Sequence, residues 1–128
     1  MASVFTKIIN REIPADIFYE DENFIAILDI NPIRDGHILV IPKKETDYIF
    51  DLSDDDYIEL MLTVKKISSL LSKKISNKIE FSKIAIVVEG FDVPHVHVHL
   101  IPLLHSDTLT PESKTKLSLN EVKNILFN

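Results

Sequence analysis

Pro94-His95-Val96-His97-Val98-His99-Leu100-Ile101-Pro102 sets three histidines in alternation with valines and closes on a proline. The alternation reads as one strand. Successive strand side chains point to opposite faces, so His95, His97 and His99 share one face while Val96, Val98 and Leu100 form the apolar face a core would take. Neighbouring imidazoles then sit roughly 6.5 to 7 Å apart. A single strand histidine is ordinarily a satisfied structural residue. A row of three offers nucleophile, proton carrier and hydrogen-bond donor together, because imidazole titrates nearest neutrality.

Two chemistries compete for the row. Alternating histidines can present ring nitrogens to a Zn²⁺ at about 2.0 to 2.1 Å, but a catalytic zinc site wants a third ligand and supporting carboxylates. With no cysteine in the chain, sulfur-rich metal sites and a disulfide scaffold are both excluded. The other chemistry is covalent catalysis, with the middle imidazole attacking an electrophile and its neighbours orienting ring and leaving group.

The rest of the chain sets compatible bounds. Its 128 residues suit a single domain, 1–128, and a hydrophobic fraction of 45% with 27% charged residues is ordinary for a globular protein. A net charge of -6 argues against nucleic acid or an anionic membrane as partner, since both attract a basic field. No run of 18 apolar residues occurs, and the first residues lack the basic and apolar regions of a signal peptide. A cytoplasmic location is expected.

Along the chain, Val4 to Ile9 reads as a short helix ending before Pro14, with Phe5 and Ile8 on one face. Asp16–Tyr19 and Phe24–Leu28 form a hairpin around a polar turn, and His37–Ile41 is a strand opened by Gly36 and closed by Pro42. Asp29 ends an apolar strand just before Asn31-Pro32, so it is either a turn former or a carboxylate aimed at something polar. Ser53 caps a long helix whose stripe runs Tyr57, Leu60, Met61, Val64, Ile67 and Leu71. Lys83–Val88 reads as a central strand, residues 103–111 as a loop, and Ser118–Phe127 as a helix with Ser118 and Glu121 at capping-box spacing. Residues 103–128 form a C-terminal extension.

His95 to Pro102 resembles the signature of the histidine triad (HIT) superfamily. Phe5 to Ala15, Tyr19-Glu20-Asp21, Asp29-Ile30-Asn31-Pro32 and Gly36 to Lys43 are similar to further blocks of that family, in its order and spacing, so the likeness spans roughly residues 3 to 102. It implies an α+β domain with a five-stranded antiparallel sheet, ordered Asp16–Tyr19, Phe24–Leu28, His37–Ile41, Lys83–Val88, His95–Ile101, one long helix packed on it, and short N- and C-terminal helices. A homodimer is implied as well. The implied activity is hydrolysis of a purine nucleotide at its α-phosphate, with phosphoramidates or dinucleoside polyphosphates as substrates and no cofactor or metal required.

By the same resemblance, His97 is the nucleophile, His95 fixes its ring through a backbone carbonyl, and His99 and His37 contact phosphate or orient the nucleophile. Phe5, Ile8, Ile27 and Ile30 match the base pocket, and Asp29 matches the acid that receives the ribose hydroxyls. His99 stands where the transferase branch has Gln, which favours hydrolysis. The chain also departs from the pattern: Val88 to Pro94 is about four residues shorter than the usual link, with Phe91 in place of Gln and Asp92 in place of a substrate-contacting Ser. Asp92 is therefore a substrate-side position with altered chemistry. A binding module with weak turnover and a histidine-based metal protein are the alternatives.

Overall fold

The computed structural model describes residues 2–107 and 117–127. Its elements are α1 (Val4–Ile9), β1 (Ile17–Glu20), β2 (Phe24–Leu28), β3 (Ile38–Pro42), a 3-10 turn at Ile49–Asp51, α2 (Asp54–Ile75), β4 (Lys83–Val87), β5 (Val98–Leu103) and α3 (Leu119–Phe127). The expected α+β class holds: one five-stranded antiparallel sheet carries a long helix and shorter terminal helices. No helix among the described residues is long and apolar enough to cross a membrane.

Period-2 patterning explains why the sheet is covered on both sides. In β2 and β3, Phe24, Ala26, Ile38 and Val40 point to one cluster, and the intervening Ile25, Ile27, Leu39 and Ile41 point to a second on the opposite face. The first cluster is sealed by Leu60, Val64, Ile67, Leu71 and Ile75 of α2. Ser53 caps that helix by accepting from Asp56 N–H, and Asp54 to Asp56 occupy its first turn, where the dipole favours acids. The second cluster takes Phe5 and Ile8 from α1. Val96, Val98 and Leu100 lie in the α2 cluster as their alternation requires, so the histidine row faces the α1 side, away from the long helix.

Several expectations are corrected. The sheet order is β1-β2-β3-β5-β4, so the triad strand sits inside and Lys83–Val87 is an edge strand instead of a central one. Burial decides it: four of the six residues of β5 are buried, whereas none of β4 is and its Lys83 and Ile86 are exposed. The ladder of β5 begins at Val98, not at His95, because His95 N–H turns back to the Val93 carbonyl and Val96 N–H goes to the Thr46 carbonyl. Nor does Pro102 end it. Pairing with β3 stops at Leu100, and Ser82 N–H donates to the Leu103 carbonyl on the β4 side, so the missing N–H of Pro102 faces a side with no partner strand. Tyr57 lies outside the buried stripe of α2 at 37% exposure, stacked toward Phe50 instead.

Toward the C-terminus, α3 matches the expected helix, with Ser118 and Glu121 exchanging N–H bonds in a capping box. Of the expected loop at 103–111, residues 108–111 lie outside the described residues.

Candidate active site

The histidines are held by a set of hydrogen bonds in which backbone groups fix the proton positions. His95 is fully buried, and its Nε2 lies 2.7 Å from the Pro42 carbonyl, an acceptor that forces Nε2 to donate. Its Nδ1 is then free to accept the Ser3 hydroxyl at 2.7 Å. The carbonyl of His95 in turn lies 2.7 Å from Nδ1 of His97. His97 therefore carries its proton on Nδ1 and keeps an unshared pair on Nε2, the nitrogen a nucleophile uses.

A second chain of bonds fixes the neighbouring pair. Ile33 N–H donates to Nδ1 of His37, so the neutral ring of His37 is protonated on Nε2 and donates to Nδ1 of His99 at 2.8 Å. His99 is left with an Nε2–H donor. His37, just ahead of β3, is buried at 1% exposure. Burial lowers the pKa of His37, His95 and His99, and the neighbouring imidazoles His97 and His37 push His99 the same way. Neutral rings with fixed tautomers are the result.

The rings of His97 and His99 stand edge to face at 5.1 Å, and Phe5 packs against His97 at 4.8 Å. Together with His37 they line a cleft of about 460 Å³. One wall is apolar: Phe5, Ile8 and Ile27 border it and are buried. Ile30 also borders it, but at 85% exposure it is a lip and not a wall. Asp29 stands at the same end, where one carboxylate oxygen accepts Asn31 N–H at 2.8 Å and the other lies 3.4 Å from Nε2 of His37. Asp29 thus forms the turn and also borders the cleft. Asp92 and Glu89 are exposed carboxylates on the rim, while Val93 packs inward on the α1 cluster. Phe91 is 90% exposed, and Gly90 takes the left-handed turn, φ +73°, that brings the short link past His97.

A metal has one candidate place among the described residues: Asp29, His37 and His99 offer ligand atoms within 4.8 Å of one another. The fit is poor as arranged. Two nitrogens bound tetrahedrally at about 2.0 to 2.1 Å would stand about 3.3 Å apart, whereas His37 and His99 share a proton at 2.8 Å.

Three contributors were not singled out in the sequence. Ser3, Thr6 and Glu45 surround Nδ1 of His95, and their only local signal is the Ser3-x-x-Thr6 spacing at the head of α1. His105, which carried no expected role, is exposed and gives its N–H to the Ser82 hydroxyl.

The HIT domain model matches residues 10–106. The chain belongs to the HIT family. It is 39% identical to an uncharacterized HIT-like protein of Methanocaldococcus jannaschii across 95% of this chain and 90% of that one. A second relative is the asymmetrical bis(5'-nucleosyl)-tetraphosphatase of Schizosaccharomyces pombe, 34% identical over 73% of the HIT chain and 52% of the relative. Among solved structures, the histidine triad nucleotide-binding protein of Candida albicans superposes with a TM-score of 0.72 at 27% identity, covering 97% of this chain and 92% of that one. HIT relatives thus include both a hydrolase and a nucleotide-binding protein.

Proposed function

We propose that the HIT chain hydrolyses a purine nucleotide at its α-phosphate, a nucleoside phosphoramidate or a dinucleoside polyphosphate, through a nucleotidyl-histidine. The observation that carries this reading is His97, whose Nδ1 is tied to the His95 carbonyl inside a cleft that is apolar at one end and acidic beside it. A base would lie against Phe5, Ile8 and Ile27 under the lip of Ile30. Asp29 would accept the ribose hydroxyls, which suits an acceptor-only carboxylate.

Nε2 of His97 attacks the α-phosphorus as the bond to the leaving nitrogen or oxygen breaks. That group departs with the bonding pair, an amine taking a proton from water and a phosphate leaving as its anion. The ring gains positive charge, which its Nδ1–H shares with the His95 carbonyl. His99 donates from Nε2 to a phosphoryl oxygen, and His37 holds His99 in that tautomer. Water then attacks the phosphorus and releases a proton to solvent, the P–N bond breaks, its pair returns to Nε2, and the nucleoside monophosphate leaves. Burial of the three supporting histidines keeps them neutral for these roles.

The runner-up is a nucleotide-binding module with weak turnover, favoured by the shortened link from Val88 to Pro94, which leaves two exposed carboxylates, Glu89 and Asp92, on the rim of the cleft. Titration with adenosine and guanosine monophosphates, followed by a hydrolysis assay on an adenosine phosphoramidate and a dinucleoside tetraphosphate, separates the two. Monophosphate binding with turnover supports the hydrolase; binding without turnover supports the module. Metal content measured on the purified protein, at one equivalent or at none, separates the histidine-based metal protein.

The same reading includes a homodimer. Tyr48, Phe50, Tyr57 and Ile86 are large exposed apolar side chains around one depression beside the unpaired edge strand β4. Exposed edges and apolar patches of this kind are covered in stable proteins, and a second copy would cover both. Sedimentation should give twice the chain mass, and a monomer at tens of micromolar would count against it.

A further inference from the structure

Outside the cleft, a connected polar cluster lies behind the triad. Ser3 N–H donates to Oε1 of Glu45 at 2.7 Å, and the Thr6 hydroxyl donates to the same oxygen at 2.8 Å. The Ser3 hydroxyl accepts Thr6 N–H at 3.1 Å and gives its own proton to Nδ1 of His95 at 2.7 Å. Ser3 and His95 are 92 residues apart in sequence, so the bond is a tertiary tie and no product of local turn geometry. Ser3 is itself 8% exposed, and every buried side-chain nitrogen and oxygen among the described residues has a partner.

Two consequences follow from this wiring. Glu45 sets the position of Ser3 by accepting its main-chain N–H, and the Ser3 hydroxyl in turn donates to the Nδ1 of His95 that the Pro42 carbonyl leaves unprotonated, which holds the ring in its seat. His95 also offers the carbonyl that holds His97, and the α1 helix capped by Ser3 carries Phe5, whose ring packs on both histidines at 5.9 and 4.8 Å. One cluster thus governs the seat of His95 and the wall against which His97 leans.

We infer that Ser3 and Glu45 are positioning residues for His97, acting through His95: they hold the His95 ring and backbone so that its carbonyl keeps Nε2 of His97 unprotonated and aimed at the cleft. The inference rests on the proposed nucleotidyl transfer to His97. It also has a consequence that needs no substrate, because the tautomers of His95 and His97 are set by the protein alone.

The test uses the full chain and the variants Ser3→Ala, Ser3→Thr and Glu45→Ala, the last at a side chain with enough exposure to tolerate truncation. Ser3→Ala should lower kcat on an adenosine phosphoramidate by about tenfold, the rate equivalent of one lost buried hydrogen bond, with KM within threefold. Ser3→Thr keeps a hydroxyl and should recover most of that loss, and Glu45→Ala should lower kcat as Ser3→Ala does. In nitrogen-15 spectra of the imidazoles without ligand, wild type should show Nδ1 of His95 unprotonated and Nδ1 of His97 protonated. Both resonances should move in Ser3→Ala and Glu45→Ala.

Unmoved His95 and His97 resonances in both alanine variants overturn the inference, as does a Ser3→Thr variant as slow as Ser3→Ala, which would mark a packing role only. If the wild-type chain hydrolyses no phosphoramidate, the hydrolase reading fails, and the ring resonances still decide whether Ser3 and Glu45 govern His97. Should Ser3→Ala not fold, Glu45→Ala carries the same two readouts.

Discussion

The carbonyl oxygen of His95 lies 2.7 Å from Nδ1 of His97, so a backbone group two residues upstream decides which nitrogen of the central histidine carries the proton. A side-chain partner could titrate or rotate away. A carbonyl does neither, and the bond also stiffens the segment just before the ladder of β5 begins. The ring of His97 and the start of the strand are one local arrangement.

Asp29→Ala tests the polar end of the cleft. If the carboxylate accepts two ribose hydroxyls, binding of a ribonucleoside monophosphate should weaken by about 1.5 to 3 kcal/mol, while a dideoxyribose ligand should be barely affected. Titration calorimetry with the two ligands makes the comparison. Equal losses on both would show that Asp29 serves only the Asn31 turn it already makes.

Stability should fall as the medium is acidified, in two steps. Burial holds His37, His95 and His99 below the ordinary value of 6.5, so just below that pH the unfolded chain binds more protons than the folded one. The stability of the neutral rings is present above 6.5 and is lost as pH drops toward their depressed values. Glu45 adds the second step: bonds from Ser3 N–H and then Thr6 hold it at about 2, down from 4.5, so its share declines between those limits. Thermal melts from pH 7.5 to 3 should show the midpoint fall below about 6.5 and again below about 4.5. A midpoint that is flat or rises from pH 7 to 5.5 contradicts the buried, neutral histidines.

Asp92→Ser tests the altered link before the triad. Asp92 is exposed on the rim with Val93 as the inward residue, so solvent screens its charge from a bound phosphate. The substitution should change kcat/KM by less than about tenfold. A larger gain would show the carboxylate pointing inward against phosphate; a larger loss with a shifted acid limb would show it donating a proton to the leaving group.

Much of this was legible because periodicity is local. The apolar runs in Phe24–Leu28 and His37–Ile41 mark strands, although the second extends through Pro42, Ser53 with three following acids marks the start of α2, and Val96, Val98 and Leu100 mark which face of the triad strand is core. The ordered family blocks supplied His37, Phe5, Ile8 and Ile27, all of which reach the cleft. Strand order was not legible, since whether Lys83–Val87 or Val98–Leu103 pairs with β3 depends on long-range burial that neither pattern encodes. Ser3 and Glu45 escaped for the same reason. Each is ordinary where it stands, one a helix cap and one a charge after a strand, and only the fold brings them to Nδ1 of His95.

The central claim is that His97 attacks phosphorus, and the most direct measurement is turnover of an adenosine phosphoramidate by His97→Ala beside its affinity for adenosine monophosphate. Because a nucleophile acts mainly in the transition state, kcat should fall by roughly a thousandfold or more while monophosphate affinity stays within a few fold of wild type. A variant that binds the monophosphate normally and keeps more than a few per cent of wild-type kcat contradicts the covalent mechanism.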